Sequence, residues 1–141
     1  MKSKLLLLFL LAPALAFADA KLTNVQANEL LTVLSQVGPG LTAQNTTRIA
    51  RDINALRPIV EAWAKGDQAA RERLKITAGM KNDAPEALAY LAEAKKNGED
   101  SSPITLQPVI VSDEEITSAK ITPATLAVFL LYLSEPAKKN P

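Results

Sequence analysis

The clearest pattern in the chain is a stripe of apolar residues that recurs every three or four positions between residues 42 and 65. Five residues form this stripe: Ile49, Ile53, Leu56, Val60 and Trp63. On a helix they fall within an arc of about 80°, and polar residues occupy the opposite side. The pattern predicts an amphipathic helix, capped by Thr42, that buries the stripe and places Trp63 in the core.

Two features interrupt this predicted helix. Pro58 removes one backbone hydrogen bond, but it lies on the polar side, where water can satisfy the freed carbonyl. Gly66 followed by Asp67 fits a helix end and the cap of a continuation that runs to Ile76. A bend and a break at Gly66 are both consistent with the sequence.

The preceding segment predicts a first helix over residues 23–37. Thr23 is a suitable N-cap, and Gln26 completes a capping box with it. Apolar residues recur at helical spacing up to Val37, and Gly38-Pro39-Gly40 then ends the helix. The first two helices are therefore expected to form a hairpin.

A third helix is predicted to begin with Asp83 as its cap, Pro85 in its first turn and Glu86 completing a capping box. Leu88 and Leu91, with Tyr90 as a further candidate, are expected to form its inner side.

The pattern changes to alternating and β-branched residues after a linker at residues 99–103. Residues 104–111 predict a strand, and Pro108 places it at a sheet edge because proline cannot donate to a ladder. Residues 116–121 are expected to return antiparallel to it after a turn at residues 112–115. Such a small hairpin must pack on the helices to be stable.

Thr122 and Pro123 begin a last helix that is apolar on all sides. Its ten residues span only about 15 Å, too short to cross a membrane. Two interpretations stay open: the helix is buried around most of its circumference, or one side is a docking face for a partner. The predicted partner-binding residues are Phe129, Leu130, Tyr132 and Leu133.

These elements together predict an α+β fold that is mostly α. It comprises a helical hairpin, further helices, one small antiparallel β-hairpin and a C-terminal apolar helix. Residues 21–135 are expected to form a single helix-rich domain, because about 121 residues suffice for one core. Residues 136–141 are expected to be a disordered tail.

Residues 1–20 have the pattern of a secretory signal peptide. Lys2 and Lys4 precede an apolar stretch that ends near Leu15, and small residues follow it. Cleavage is predicted after Ala18 or after Ala20. An uncleaved anchor is the alternative, although the apolar stretch is shorter than the roughly 20 residues that span a bilayer. The sequence thus predicts a periplasmic or secreted bacterial protein.

The amino-acid composition excludes several kinds of catalytic and metal-binding site. The chain has no His and no Cys, which excludes a Ser-His triad, a Cys nucleophile and ordinary zinc sites. The formal net charge is +1, so a nucleic-acid partner is not expected. We expect no cofactor, no metal and no enzyme activity. A hydrolase that uses only carboxylates, such as Glu61 with Glu72, is the alternative.

Other charged residues are interpreted as surface groups. Asp113, Glu114 and Glu115 form the one acidic run, which lacks the spacing of a calcium loop and is expected to be a solvated turn. Three arginines, Arg48, Arg51 and Arg57, are expected on different helix faces and not to form an anion clamp.

Three segments resemble small uncharacterised phage and prophage proteins that are rich in helices. These segments are Gly38-Pro39-Gly40, the stretch over residues 49–63 and the stretch over residues 121–126. The resemblance implies phage-derived or phage-responding biology in the cell envelope and brings no catalytic residues with it.

The resulting hypothesis is an exported, non-enzymatic interaction module with a protein partner in the cell envelope. A phage-exclusion, immunity or inhibitor role is the specific form of this hypothesis. A self-associating structural subunit is a further alternative, and the sequence leaves the oligomeric state open.

Overall fold

A computed structural model describes residues 18–134. The predicted signal segment up to residue 17 and the predicted tail at residues 136–141 lie outside the described residues. Within them the fold is α+β and mostly α, as predicted. The elements in chain order are β1 (Ala18–Thr23), α1 (Asn24–Ser35), α2 (Ala43–Arg73), α3 (Pro85–Glu99), β2 (Ser101–Leu106), α4 (Asp113–Ser118) and α5 (Pro123–Tyr132).

The strand pairing differs from the predicted hairpin. β2 pairs antiparallel with β1, in a register that joins Ala18 to Leu106 and Thr23 to Ser101. Residues 113–118 instead form the helix α4, which replaces the expected turn and the first half of the expected return strand, because Ser112 and Glu115 form a reciprocal capping box. The prediction of a strand at residues 116–121 and of a turn at residues 112–115 was therefore wrong.

The caps of the first two helices are confirmed. Thr23 and Gln26 form the capping box of α1, and the Thr42 side chain accepts a hydrogen bond from the Asn45 amide at the start of α2. In the turn between them Gly40 has a φ of 115°, and a Cβ there would lie 2.6 Å from the Ser118 carbonyl carbon. Only glycine fits this close approach to α4.

The α2 helix continues for 31 residues without a break. Pro58 is exposed, on the polar side that the sequence indicated. Gly66 and Asp67 lie inside the helix, so Asp67 is not the cap of a new one.

The α3 helix corrects two predictions. Its N-cap is Ala84, which makes no side-chain capping bond, so Asp83 does not cap it. Leu88 and Leu91 are each 55% exposed rather than inward-facing. The side that packs carries small residues and Tyr90 instead, and a Cβ added to the buried Gly98 would lie 3.0 Å from Val25 Cγ2. Small residues allow α3 to lie close to the start of α1.

One hydrophobic cluster joins α1, α2, α4, α5 and the two strands, and α3 contributes no residue to it. Its fully buried side chains include Leu30, Leu34, Leu56, Leu106, Phe129 and Leu133. The stripe of α2 contributes Ile49 and Leu56, whereas Val60 and Trp63 are only half-buried. Among residues 18–134 no helix is both long enough and apolar enough to cross a membrane.

Candidate functional site

The four residues predicted to bind a partner fall on two sides of α5. Phe129 and Leu133 are 1% and 0% exposed and belong to the core. Leu130 is 64% exposed, and its neighbour Leu131, which the prediction omitted, is 70% exposed. Tyr132 is half-buried. One side of this helix is therefore buried in the core, and the other side is exposed to solvent.

Leu130 and Leu131 belong to a continuous apolar surface. Ala124 and Ala127 are also exposed, and helical geometry places them on the same side as the two leucines. We call the surface formed by Ala124, Ala127, Leu130 and Leu131 the leucine face. These two leucines are the most exposed large hydrophobic residues among those described.

Tyr132 lies at the edge between the leucine face and the core. It is next to Gln26 and Glu29 of α1. Desolvation by burial, followed by the charge of Glu29, raises the pKa of the Tyr132 hydroxyl above its usual value. Tyr132 therefore keeps its proton and holds α5 against α1.

A row of polar side chains on the first half of α2 binds the extended segment after β2. Asn45 Nδ2 donates to the Ile110 carbonyl at 2.8 Å, and Arg48 Nη1 donates to the Pro108 carbonyl at 3.0 Å. Asp52 Oδ1 accepts from the Gln107 amide at 2.6 Å. These three contacts come from successive turns of the helix. They satisfy backbone groups of residues 107, 108 and 110, which are not paired with a strand.

Arg48 and Arg51 share one surface cavity, contrary to the expectation that they lie on different faces. The cavity is about 320 Å³ and is also lined by Gln107. One Arg48 nitrogen is already used on Pro108, so the first function of this side chain is to hold residues 107–110.

Glu115 is a buried structural carboxylate and not part of a solvated turn. It is 6% exposed and accepts from the Thr42 amide at 2.7 Å, the Ser112 amide at 3.0 Å and Asn45 Nδ2 at 3.0 Å. The amides of Ser112 and Thr42 are the main reason that the pKa of Glu115 falls to about 2. The sequence signal was the spacing Ser112 to Glu115, which also fits a capping box.

Asp52 is 1% exposed. Desolvation raises the pKa of its carboxyl to about 7, against the opposing effect of the Gln107 amide. Its Oδ2 atom and Gln107 Oε1 are buried without a hydrogen-bond partner. A carboxyl sealed in this way can hold a proton, but a substrate in solution cannot reach it.

The second half of α2 forms one wall of an open groove. Trp63 lines two cavities, one of about 340 Å³ toward Asn97 and Ser102 and one of about 390 Å³ toward Asp67 and Tyr90. We call the two cavities together the Trp63 groove. Both volumes lie within the range that is typical of small-molecule sites.

Three side chains form a connected polar cluster in the larger cavity. Tyr90 donates its hydroxyl to Asp67 Oδ1 at 2.6 Å, and Arg71 Nε donates to Asp67 Oδ2 at 2.8 Å. The Arg71 guanidinium also lies 4.7 Å from the centre of the Tyr90 ring, a cation–π distance. The bonds from Tyr90 and Arg71 lower the pKa of Asp67 below its usual value, so it is ionised at neutral pH.

Part of this cluster was visible in the sequence. Asp67 and Arg71 are four residues apart, the spacing of a helical ion pair, but that signal requires a helix that continues through Gly66. Tyr90 is contributed by α3, and only the packing of α3 on α2 brings it to Asp67.

Compared with known proteins, the chain matches no protein-family model, no curated protein and no solved structure. Within residues 18–134 no group of three or more His, Cys, Asp or Glu side chains could hold a metal ion.

Proposed function

We propose that this protein is an exported, non-enzymatic module of the bacterial cell envelope that binds a protein partner through the leucine face. The observation that supports this function is the exposure of Leu130 and Leu131 on a helix whose other side is anchored in the core. Exposed apolar surfaces of this kind commonly mark interaction sites. Phe129 and Leu133 act as supports that fix the orientation of the face.

Export is supported by the pattern of residues 1–20. The pairing of β1 favours cleavage after Ala18, because this leaves Asp19–Thr23 opposite β2, whereas cleavage after Ala20 removes two more residues of the ladder. Mass spectrometry of the mature protein from a periplasmic extract tests this. An intact N-terminus in the membrane fraction would contradict export by cleavage.

Residue-specific photo-crosslinking in living cells tests the leucine face. A photoreactive amino acid replaces Leu131 in one strain and Leu91 in a control strain, since both leucines are exposed and lie on helices. We expect a discrete crosslinked partner from position 131 only. The double variant Leu130→Asp with Leu131→Asp should fold normally and lose the partner from a crosslinker placed at Ala127.

The outcomes separate the proposed role from its alternatives. Crosslinks of equal yield at positions 131 and 91 would overturn the leucine face as a binding site. A crosslinked dimer of the chain itself would identify a structural subunit instead of a binder of another protein. If the partner is a phage or phage-targeted protein, phage plating on cells that carry the double variant should recover relative to wild type.

A carboxylate hydrolase finds less support in the described residues. The pKa of Asp52 is raised, but its side chain is sealed from solvent. Glu115 is fully engaged in capping, and Asp67 is held by Tyr90 and Arg71.

A further inference from the structure

We propose that the Trp63 groove binds an uncharged oligosaccharide, with one sugar ring stacked on the Trp63 indole. The site is separate from the leucine face and does not depend on it. It is built by the second half of α2 together with α3 and the start of α1.

The shape of the groove fits a chain of several rings rather than a single small molecule. Its lining residues on α2 extend from Ile59 to Arg71, which corresponds to about 18 Å along the helix. Trp63 is the one described residue that lines both cavities. A sugar ring in either cavity therefore lies beside the indole, and the apolar face of a pyranose is well suited to stack on it.

The polar groups of the groove match hydroxyl groups. Sugar hydroxyls both donate and accept hydrogen bonds, so they require acceptors and donors side by side. Asp67 supplies an acceptor, Arg71 retains nitrogens beyond the Nε that bonds Asp67, and Asn28 lines the same cavity with an amide that does both. Ser102, Asn97 and the carboxylate residue Asp100 line the other cavity, where a carboxylate adds a further acceptor for hydroxyl groups and disfavours an anion.

The charges of the larger cavity favour a neutral ligand. Its one carboxylate and its one guanidinium, Asp67 and Arg71, are paired with each other. An anion would have to compete with Asp67 for Arg71, and a cation with Arg71 for Asp67. Tyr90 fixes the pair through both its hydroxyl and its ring, so these polar groups are held in place before a ligand arrives, which reduces the entropy that binding must overcome.

The chain has a single tryptophan, so its fluorescence reports on this groove directly. The mature protein is titrated with three tetrasaccharides, a β-1,4-linked N-acetylglucosamine oligomer, cellotetraose and maltotetraose, and with an uncharged tetrapeptide. We expect at least one tetrasaccharide to shift the Trp63 emission to shorter wavelength and to protect it from acrylamide quenching, in a saturable manner. The corresponding monosaccharide should bind more weakly by roughly tenfold or more.

Single substitutions test whether the tetrasaccharide binds in the Trp63 groove. Asp67→Asn should weaken binding of that tetrasaccharide by roughly tenfold. Glu61→Gln makes the same change at an exposed position of α2 that lines neither cavity, and should leave binding unchanged. Trp63→Ala, measured by calorimetry, should abolish binding, and Trp63→Phe should retain part of it.

Urea unfolding verifies that each variant is folded, and Trp63→Phe tests the stacking even if Trp63→Ala is destabilised. The proposal is overturned if no tetrasaccharide changes the emission at millimolar concentration, or if the tetrapeptide alone does so. Equal effects of Asp67→Asn and Glu61→Gln would also overturn it.

Discussion

The two halves of α2 have the same amphipathic pattern but different surroundings. In the first half, Ile49 and Leu56 are buried, and Asn45 and Asp52 are bonded to segments distant in sequence. In the second half, Val60 and Trp63 are half-buried and face an open groove. The first half therefore holds the fold together, whereas the second half presents side chains to solvent at fixed positions.

The difference arises from what covers each half. Segment 107–110 and Glu115 of α4 are hydrogen-bonded to the first half, and Val109 is itself bonded to Leu133 through the backbone at 2.9 Å. The second half is covered by α3, whose packed side is made of small residues and Tyr90. Small side chains fill less space next to a large indole, and the groove is the space that remains.

The largest predicted effect is the difference in stability between truncating a side chain in the first half of α2 and truncating one in the second half. Leu56→Ala removes a side chain that is 0% exposed and should lower the free energy of unfolding by about 2–5 kcal/mol. Trp63→Ala should cost less than about 3 kcal/mol, the lower limit for fully buried aromatic residues. Urea unfolding of both variants measures this. A greater loss for Trp63→Ala than for Leu56→Ala would show that the groove half is the true core.

Glu115 connects α4 to the first half of α2, and its removal should have the next largest effect. Glu115→Ala leaves the amides of Thr42 and Ser112 without their acceptor, so we expect a loss of about 2–3 kcal/mol. Because the folded-state pKa of Glu115 is depressed to about 2, its stabilisation is present above pH 4.5 and is lost as the pH falls toward 2. Urea midpoints at successive pH values should fall in acid for wild type and fall less for Glu115→Gln. Parallel acid profiles would contradict this role.

Asp52 predicts a pH dependence of the opposite sign. Its pKa is raised to about 7 in the folded state, so the folded state holds a proton that the unfolded chain loses above its ordinary pKa of 3.8. Stability should therefore decline as the pH rises from about 4 to about 7. Asp52→Asn keeps an oxygen that can accept the hydrogen bond from the Gln107 amide, but it removes the carboxyl group that titrates. The neighbouring charge of Arg48, one helical turn away, is the same in wild type and variant. The variant should equal or exceed wild type in stability at pH 8, with a smaller advantage at pH 4. A constant difference across this range would refute the assignment.

The smallest predicted effect lies in the groove half. Gly66 is within α2, and a Cβ added there would meet no atom within 4 Å. Gly66→Ala should therefore stabilise the helix by about 0.5–1 kcal/mol. Thermal unfolding measures the gain, and Gly40→Ala is the contrasting control, because it places a Cβ against the Ser118 backbone and should destabilise. A loss of stability in Gly66→Ala would mean that the groove is more tightly packed than its open cavity indicates.

The sequence by itself determined the features that depend on neighbouring residues. The caps of α1 and α2 were predictable because Thr23, Gln26 and Thr42 bond to amides within three positions. The position of Pro58 on the exposed side followed from helical periodicity alone. The fold class followed from the same local signals.

Tertiary structure decided what each apolar or polar residue contacts. The alternation at residues 104–111 indicated a strand, but the strand that forms is Ser101–Leu106, and β1 supplies its partner. Polar side chains of α2, rather than another strand, bond the backbone of Gln107, Pro108 and Ile110. The sequence of α5 is apolar on all sides, so its periodicity does not identify which side faces the core. Only packing against α1 and residue 109 buries Phe129 and leaves Leu130 exposed. The Trp63 groove depends likewise on Tyr90 meeting Asp67 across 23 residues of sequence, and no local periodicity encodes such a contact.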